Sequence, residues 1–158
     1  MKKVLMRLGL LGIILFVLAA CQVETSTSIG SLGIGDSVFA RVGEDGLEVV
    51  EGKPVFEKGS EVYMVLLDAG PLEKGEDGLH WIDIDVEVKG PDGTVLLSEQ
   101  GMLGETGHIL FEGDYADQPY GVFSSTETMD AGDYTMKMTL HDKVSGSRAT
   151  RSAGFVLE

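Results

Sequence analysis

The chain has 158 residues, enough for one domain with an ordinary hydrophobic core and too few for two of typical size. Its 26 acidic residues against 12 basic ones give a formal net charge of −14. That balance argues against nucleic-acid binding, because affinity for a polyanion comes from Lys and Arg neutralising phosphates. Cys21 is the one cysteine in the sequence, so no internal disulfide braces the fold and no thiol pair is available for redox work.

Lys2, Lys3 and Arg7 supply a positive start, and Leu8 to Val17 form an unbroken apolar and glycine run. The run is shorter than the roughly 20 residues of a membrane-spanning helix and fits the h-region of a signal peptide. Leu18-Ala19-Ala20-Cys21 follows it directly. This placement of small residues before a cysteine resembles the lipobox of bacterial lipoproteins. The resemblance implies a signal peptide over 1–20, cleavage before Cys21, and a diacylglyceryl group on its sulfur. It further implies a cell-envelope location: the outer membrane or periplasmic face in a Gram-negative cell, the cell surface otherwise. Gln22 is not the Asp that favours inner-membrane retention in Gram-negative relatives, which points toward the outer membrane. Removing residues 1–20 takes away three of the 12 basic residues and none of the 26 acidic ones, leaving 9 against 26, a net charge of −17.

Residues 22–35 are polar and glycine-rich with no apolar period, which predicts a lipidated flexible tether over 21–35, about 45 Å at full stretch. From Asp36 onward, short β-favouring segments alternate with Gly, Pro and Asp turns. Strands are predicted at Ser37 to Val42, Leu47 to Val50, Pro54 to Glu57, Glu61 to Asp68, Trp81 to Lys89, Thr94 to Glu99, His108 to Glu112, Tyr120 to Ser125, Tyr134 to His141 and Arg148 to Leu157. That spacing predicts an all-β sandwich over 36–158. In Trp81 to Lys89, Ile82, Ile84, Val86 and Val88 alternate with Trp81, Asp83, Asp85, Glu87 and Lys89, the pattern of a half-buried antiparallel strand. Gly90-Pro91-Asp92-Gly93 then predicts a tight hairpin turn.

Asp130-Ala131-Gly132-Asp133-Tyr134-Thr135-Met136 resembles the tyrosine corner of immunoglobulin-like and fibronectin type III-like sandwiches. The resemblance implies an immunoglobulin-like sandwich in which the Tyr134 hydroxyl bonds back to the backbone of the turn at Asp130. It puts Met136 where the family has its second cysteine, with Met64 as a candidate neighbour across the sheets. Trp81 stands at the start of the corresponding strand C, where the family carries its core Trp within the strand.

Four clusters invite chemistry. Asp83, Asp85 and Glu87 offer carboxylates to calcium, but same-face neighbours on a strand are about 6.8 Å apart, so loops such as Gly75 to Gly78 or Gly113 to Asp117 would have to add ligands. His141, Asp142 and Ser145 have the residue types of a hydrolytic triad, without a G-x-S-x-G motif. Met102, Met129, Met136 and Met138 suit a soft metal or, more simply, a core. Gly101, Gly104 and Gly107 precede no helix and no lysine, unlike a phosphate loop. The sequence therefore predicts no catalytic, metal or cofactor residues. It predicts a non-enzymatic, lipid-anchored binding or structural accessory module whose partners are the membrane, through Cys21, and an envelope protein. A calcium- or small-ligand-binding module is the alternative, and an envelope hydrolase the third reading.

Overall fold

The structure, a computed structural model, describes residues 24–111 and 118–158. Cys21 and the predicted signal peptide, together with Glu112 and the Gly113 to Asp117 segment, lie outside the described residues. Eleven strands follow in order: β1 (Thr25–Ile29), β2 (Gly33–Gly43), β3 (Gly46–Val49), β4 (Val55–Phe56), β5 (Glu61–Gly70), β6 (His80–Lys89), β7 (Val95–Glu99), β8 (His108–Ile109), β9 (Tyr120–Ser124), β10 (Gly132–Asp142) and β11 (Arg148–Leu157). One 3-10 turn, Gly104–Gly107, separates β7 from β8.

The strands form a sandwich. Sheet A runs β1-β11-β10-β6-β7, with β4 also against β11 and β8 against β6; sheet B runs β3-β2-β5-β9. Every pairing between these strands is antiparallel except that of β4 with β11. The β11-β10-β6 trio facing β2-β5-β9 reproduces the G-F-C and A-B-E neighbours of an immunoglobulin-like sandwich.

Period-2 alternation supplies both inner faces. Ile82, Ile84, Val86 and Val88 of β6 join Met136, Met138 and Leu140 of β10, and Val62, Met64 and Leu66 of β5 meet them from sheet B, all buried. Phe155 anchors one end, with ring centroids of Tyr134, Phe39, Phe56 and Phe123 at 5.4, 5.5, 6.0 and 6.1 Å. Each such ring contributes about 1.5–3 kcal/mol by burial. The sheets approach closely at Gly121, the strand partner of Met64. A Cβ there would lie 2.8 Å from Val86 Cγ2 and 3.0 Å from Met136 Cε, so any larger residue would have to push side chains of the opposite sheet aside. The two methionines expected to replace an inter-sheet disulfide thus flank the same close contact.

The segment read as a tether is different in the structure. Thr25–Ile29 pairs along β11 from Ser152 to Arg148, and β2 begins at Gly33. The sandwich therefore starts eleven residues before Asp36. All five β1 residues are exposed. An edge strand held by backbone pairing needs no apolar face, so it leaves no alternation to read, only the Thr and β-branched content that strands tolerate.

Candidate functional site

Register places the side chains of each outer face in rows. On sheet A one row runs Thr25, Ser152, Lys137, Glu87 and Ser98; the next runs Thr27, Thr150, Thr139 and Asp85; the third runs Ile29, Arg148, His141 and Asp83. These residues satisfy one another. Lys137 Nζ donates to Glu87 Oε1 at 2.9 Å, the Thr139 and Thr150 hydroxyls are 2.9 Å apart, and His141 Nε2 lies 2.7 Å from Asp85 Oδ2.

The carboxylates considered for calcium are consumed in this network. Asp83, expected on a solvated face, is 6% exposed because the chain after β7 folds over it. Its Oδ1 accepts from the backbone N–H of Leu103 at 3.0 Å and of Ile84 at 2.9 Å, and Lys143 Nζ stands 3.7 Å from Oδ2. Burial raises its pKa, but the backbone donors outweigh that and hold it below the usual carboxylate range. Asp85 Oδ1 takes the Gly101 N–H at 3.0 Å. Gly101 and Gly104 adopt positive φ, which turns this loop's amides onto the protein's own carboxylates rather than onto a phosphate. Glu87 is held below its ordinary range, first by the Lys137 hydrogen bond. Among the described residues, no three His, Cys, Asp or Glu side chains converge as metal ligands.

The triad types do not assemble either. Ser145 Oγ donates directly to Asp142 Oδ2 at 2.7 Å, while His141, one residue earlier on the strand, points to the opposite face and Asp85. Asp142, 1% exposed, is a loop clamp: it accepts the N–H of Glu73 at 2.9 Å, Val144 at 3.0 Å and Ser145 at 3.3 Å. Desolvation raises its pKa, and these donors, with the Ser145 hydroxyl, bring it below the ordinary value. The other histidines are also separate: His80 Nδ1 accepts the Phe111 N–H at 2.9 Å, and His108 pairs with Asp77 at 2.8 Å. Met136 and Met138 are core, Met129 packs against it, and Met102 is exposed. Trp81 is exposed on the outer side of sheet A, 5.8 Å from the His108 ring, not in the core. At the corner, the Tyr134 hydroxyl donates to the Asp130 carbonyl at 2.7 Å and its ring stacks on Phe155.

The outer face of sheet B is apolar across its centre, whereas on sheet A exposed apolar groups such as Ile29 and Trp81 lie toward the margins. One row reads Val49, Ala40, Tyr63 and Val122; beside it lie Val38, Val65 and Tyr120; Leu47 and Val42 pair at the free end. Val42 is 61% exposed and Tyr120 52%, and Leu47 and Val49 are also open to solvent. Tyr63 and Tyr120, with centroids 5.9 Å apart, flank Val65, which is 5% exposed although it faces outward. The Tyr63 hydroxyl donates to Glu61 Oε2 at 2.7 Å, and that hydrogen bond raises the Tyr63 pKa. At the β9 edge, Tyr120 and Val122 continue into a groove of about 330 Å³ whose other walls include Ile82, Ile84, Met102, Leu103 and Ile109.

This face was legible in the sequence as unusual strands and was not singled out there. Val38-Phe39-Ala40 and Tyr63 to Leu67 are apolar at consecutive positions, the mark of a strand covered on both sides. The sandwich core covers only one side; of the second apolar set, Ala40 and Val65 are buried among their neighbours on the face, and Val42, Leu47, Val49 and Tyr120 remain exposed.

No protein-family model matches the chain, and no curated protein matches its sequence. Among solved structures, the C-terminal domain of Wzt is similar with a TM-score of 0.50 and 14% identity, over 85% of this chain and 78% of that one. The extended catalytic domain of H. jecorina LPMO9A gives a TM-score of 0.34 at 9% identity, over 71% of this chain and 50% of that one. The first similarity is one of fold, a β-rich sandwich, and the second is too low to add to it.

Proposed function

We propose that the protein is a non-enzymatic, lipid-anchored binding module of the cell envelope, and that the outer face of sheet B is where its partner docks. The observation that carries this reading is the exposed apolar and aromatic surface built from β3, β2, β5 and β9 on a strongly acidic chain. Large exposed apolar patches on soluble domains mark interaction sites, and antiparallel sheets otherwise keep their outer faces polar. The acid, histidine and serine groups that suggested a metal or a hydrolase each serve a local hydrogen bond or ion pair, which supports binding over catalysis.

The anchor changes meaning with the fold. Because β1 starts at Thr25, a lipid on Cys21 would leave Gln22, Val23 and Glu24 as linker, at most about 10–14 Å. Arg151 holds Glu24 at 2.6 Å, which shortens the free span further. The module would lie against the headgroups of its own membrane, with sheet B open to a neighbour anchored beside it.

Two experiments test the two parts. Cys21→Ser is expected to move the protein from the detergent phase to the aqueous phase on detergent partitioning; a variant still in the detergent phase removes the lipid anchor from the account. In native gels of gently solubilised membranes, the wild type is expected to migrate as a complex. The Val42→Ser/Tyr120→Ser double variant is expected to migrate free while staying folded by circular dichroism, since both side chains are largely exposed and outside the core. A double variant that stays in the complex assigns the docking surface elsewhere.

A further inference from the structure

Given that the outer face of sheet B is the docking surface proposed above, we infer that its partner is a protein surface with an apolar centre and a basic rim. The centre follows from Val42, Val49, Tyr63 and Tyr120, which offer aliphatic and aromatic area and, in the Tyr hydroxyls, polar tips suited to an interface. The rim follows from charge. Glu61 sits on the face itself, Glu44 and Asp45 form the β2–β3 turn, and Asp68 lies near the end of β5.

Among the described residues none of these four carboxylates has a salt bridge, whereas Glu87, Asp83 and Asp85 of sheet A each face Lys or His. Asp36 of β2 is ion-paired, but to Arg151 of the other sheet. These four carboxylates give the rim of sheet B a negative lean, which ammonium or guanidinium groups on the partner would complete. A second copy of this chain would bring like-charged fringes together across the apolar centre, and an anionic lipid surface would be repelled in the same way.

The test uses the full chain in phosphatidylcholine nanodiscs, with empty nanodiscs as blank, titrated with three synthetic peptides of equal length that alternate Leu with Lys, Leu with Glu, and Ser with Lys. The Leu–Lys peptide is expected to bind at least about tenfold more tightly than either of the others, a difference of about 1.4 kcal/mol. Val42→Ser/Tyr120→Ser is expected to remove that preference, and Glu61→Lys to weaken Leu–Lys binding severalfold and flatten its salt dependence. Equal binding of Leu–Glu and Leu–Lys, with both lost in the double variant, would overturn the basic rim and leave the docking face standing. Binding of all three peptides unaffected by the double variant would overturn the docking face itself. Sedimentation of the nanodisc-free protein as a dimer that Val42→Ser/Tyr120→Ser dissociates would replace the basic partner with a second copy.

Discussion

Sheets A and B contribute similar inner faces to one core, yet their outer faces differ in kind. The centre of sheet A is crossed by Thr, Ser, Lys, Glu and His side chains that bond to one another in register, with exposed apolar groups such as Ile29 and Trp81 toward its margins, whereas sheet B is crossed by Val, Ala, Leu and Tyr side chains of which Val42, Leu47, Val49 and Tyr120 are exposed. Folding requires only the inner faces to be apolar. An outer face is free to be polar, and polar is what solubility favours, so the exposed Val42, Leu47, Val49 and Tyr120 are the part of sheet B's outer face that folding does not call for. The acids differ as well: Asp83, Asp85 and Glu87 of sheet A face Lys or His and hold loops and strands together, whereas Glu61 on the outer face of sheet B has no salt bridge among the described residues.

The largest expected effect comes from the acids beneath sheet A. Asp142→Ala leaves three backbone donors and the Ser145 hydroxyl without their acceptor, and is expected to cost about 3 kcal/mol or more in denaturant melting. Glu61→Ala on sheet B is expected to change stability by less than about 0.5 kcal/mol; comparable losses would erase the distinction between the two sets of acids. Tyr134→Phe, which acts on the core common to both sheets, is expected to cost about 1–3 kcal/mol, because the Asp130 carbonyl loses its donor while the ring stays in place.

Acid titration sharpens the comparison. The folded-state pKa values of Asp83, Glu87 and Asp142 lie below their unfolded values, so their stabilisation is complete above the ordinary carboxylate range, near pH 4, and is lost as pH falls below it. Stability measured from pH 6 to pH 2.5 is expected to fall at the acid end, and to fall less steeply in Asp142→Asn. The smallest expected effect is that of calcium. A site filled at a hundredfold excess over Kd would add about 2.7 kcal/mol. Millimolar calcium is expected to raise the melting temperature no more than sodium chloride at matched ionic strength, because Asp83, Asp85 and Glu87 already have donors.

Most of the fold was readable because alternation and turn chemistry agreed. Trp81 to Lys89 returns through Gly90-Pro91-Asp92-Gly93 to β7, with Gly93 at positive φ and Asp92 accepting the Thr94 N–H at 2.9 Å, as those residue types require. Strand β1 was not readable, since Thr25–Ile29 has neither an apolar face nor a turn signal of its own. Asp83 was misplaced because alternation gives a side chain's direction but not what folds over it; the cover comes from Leu103, twenty residues on. The apolar outer face of sheet B was missed for a related reason. Tyr63 and Val65 read as part of an apolar strand, and only the register shows that they share a side with Val42 and Tyr120, which stay exposed.

The most direct test of the account places one photocrosslinking amino acid in intact cells, either at Val42 on the outer face of sheet B or at Thr27 on the outer face of sheet A, both exposed. A discrete adduct is expected from position 42, abolished by Tyr120→Ser in the same chain, and none above background from position 27. An adduct from position 27 alone, or equal adducts from both, would contradict it.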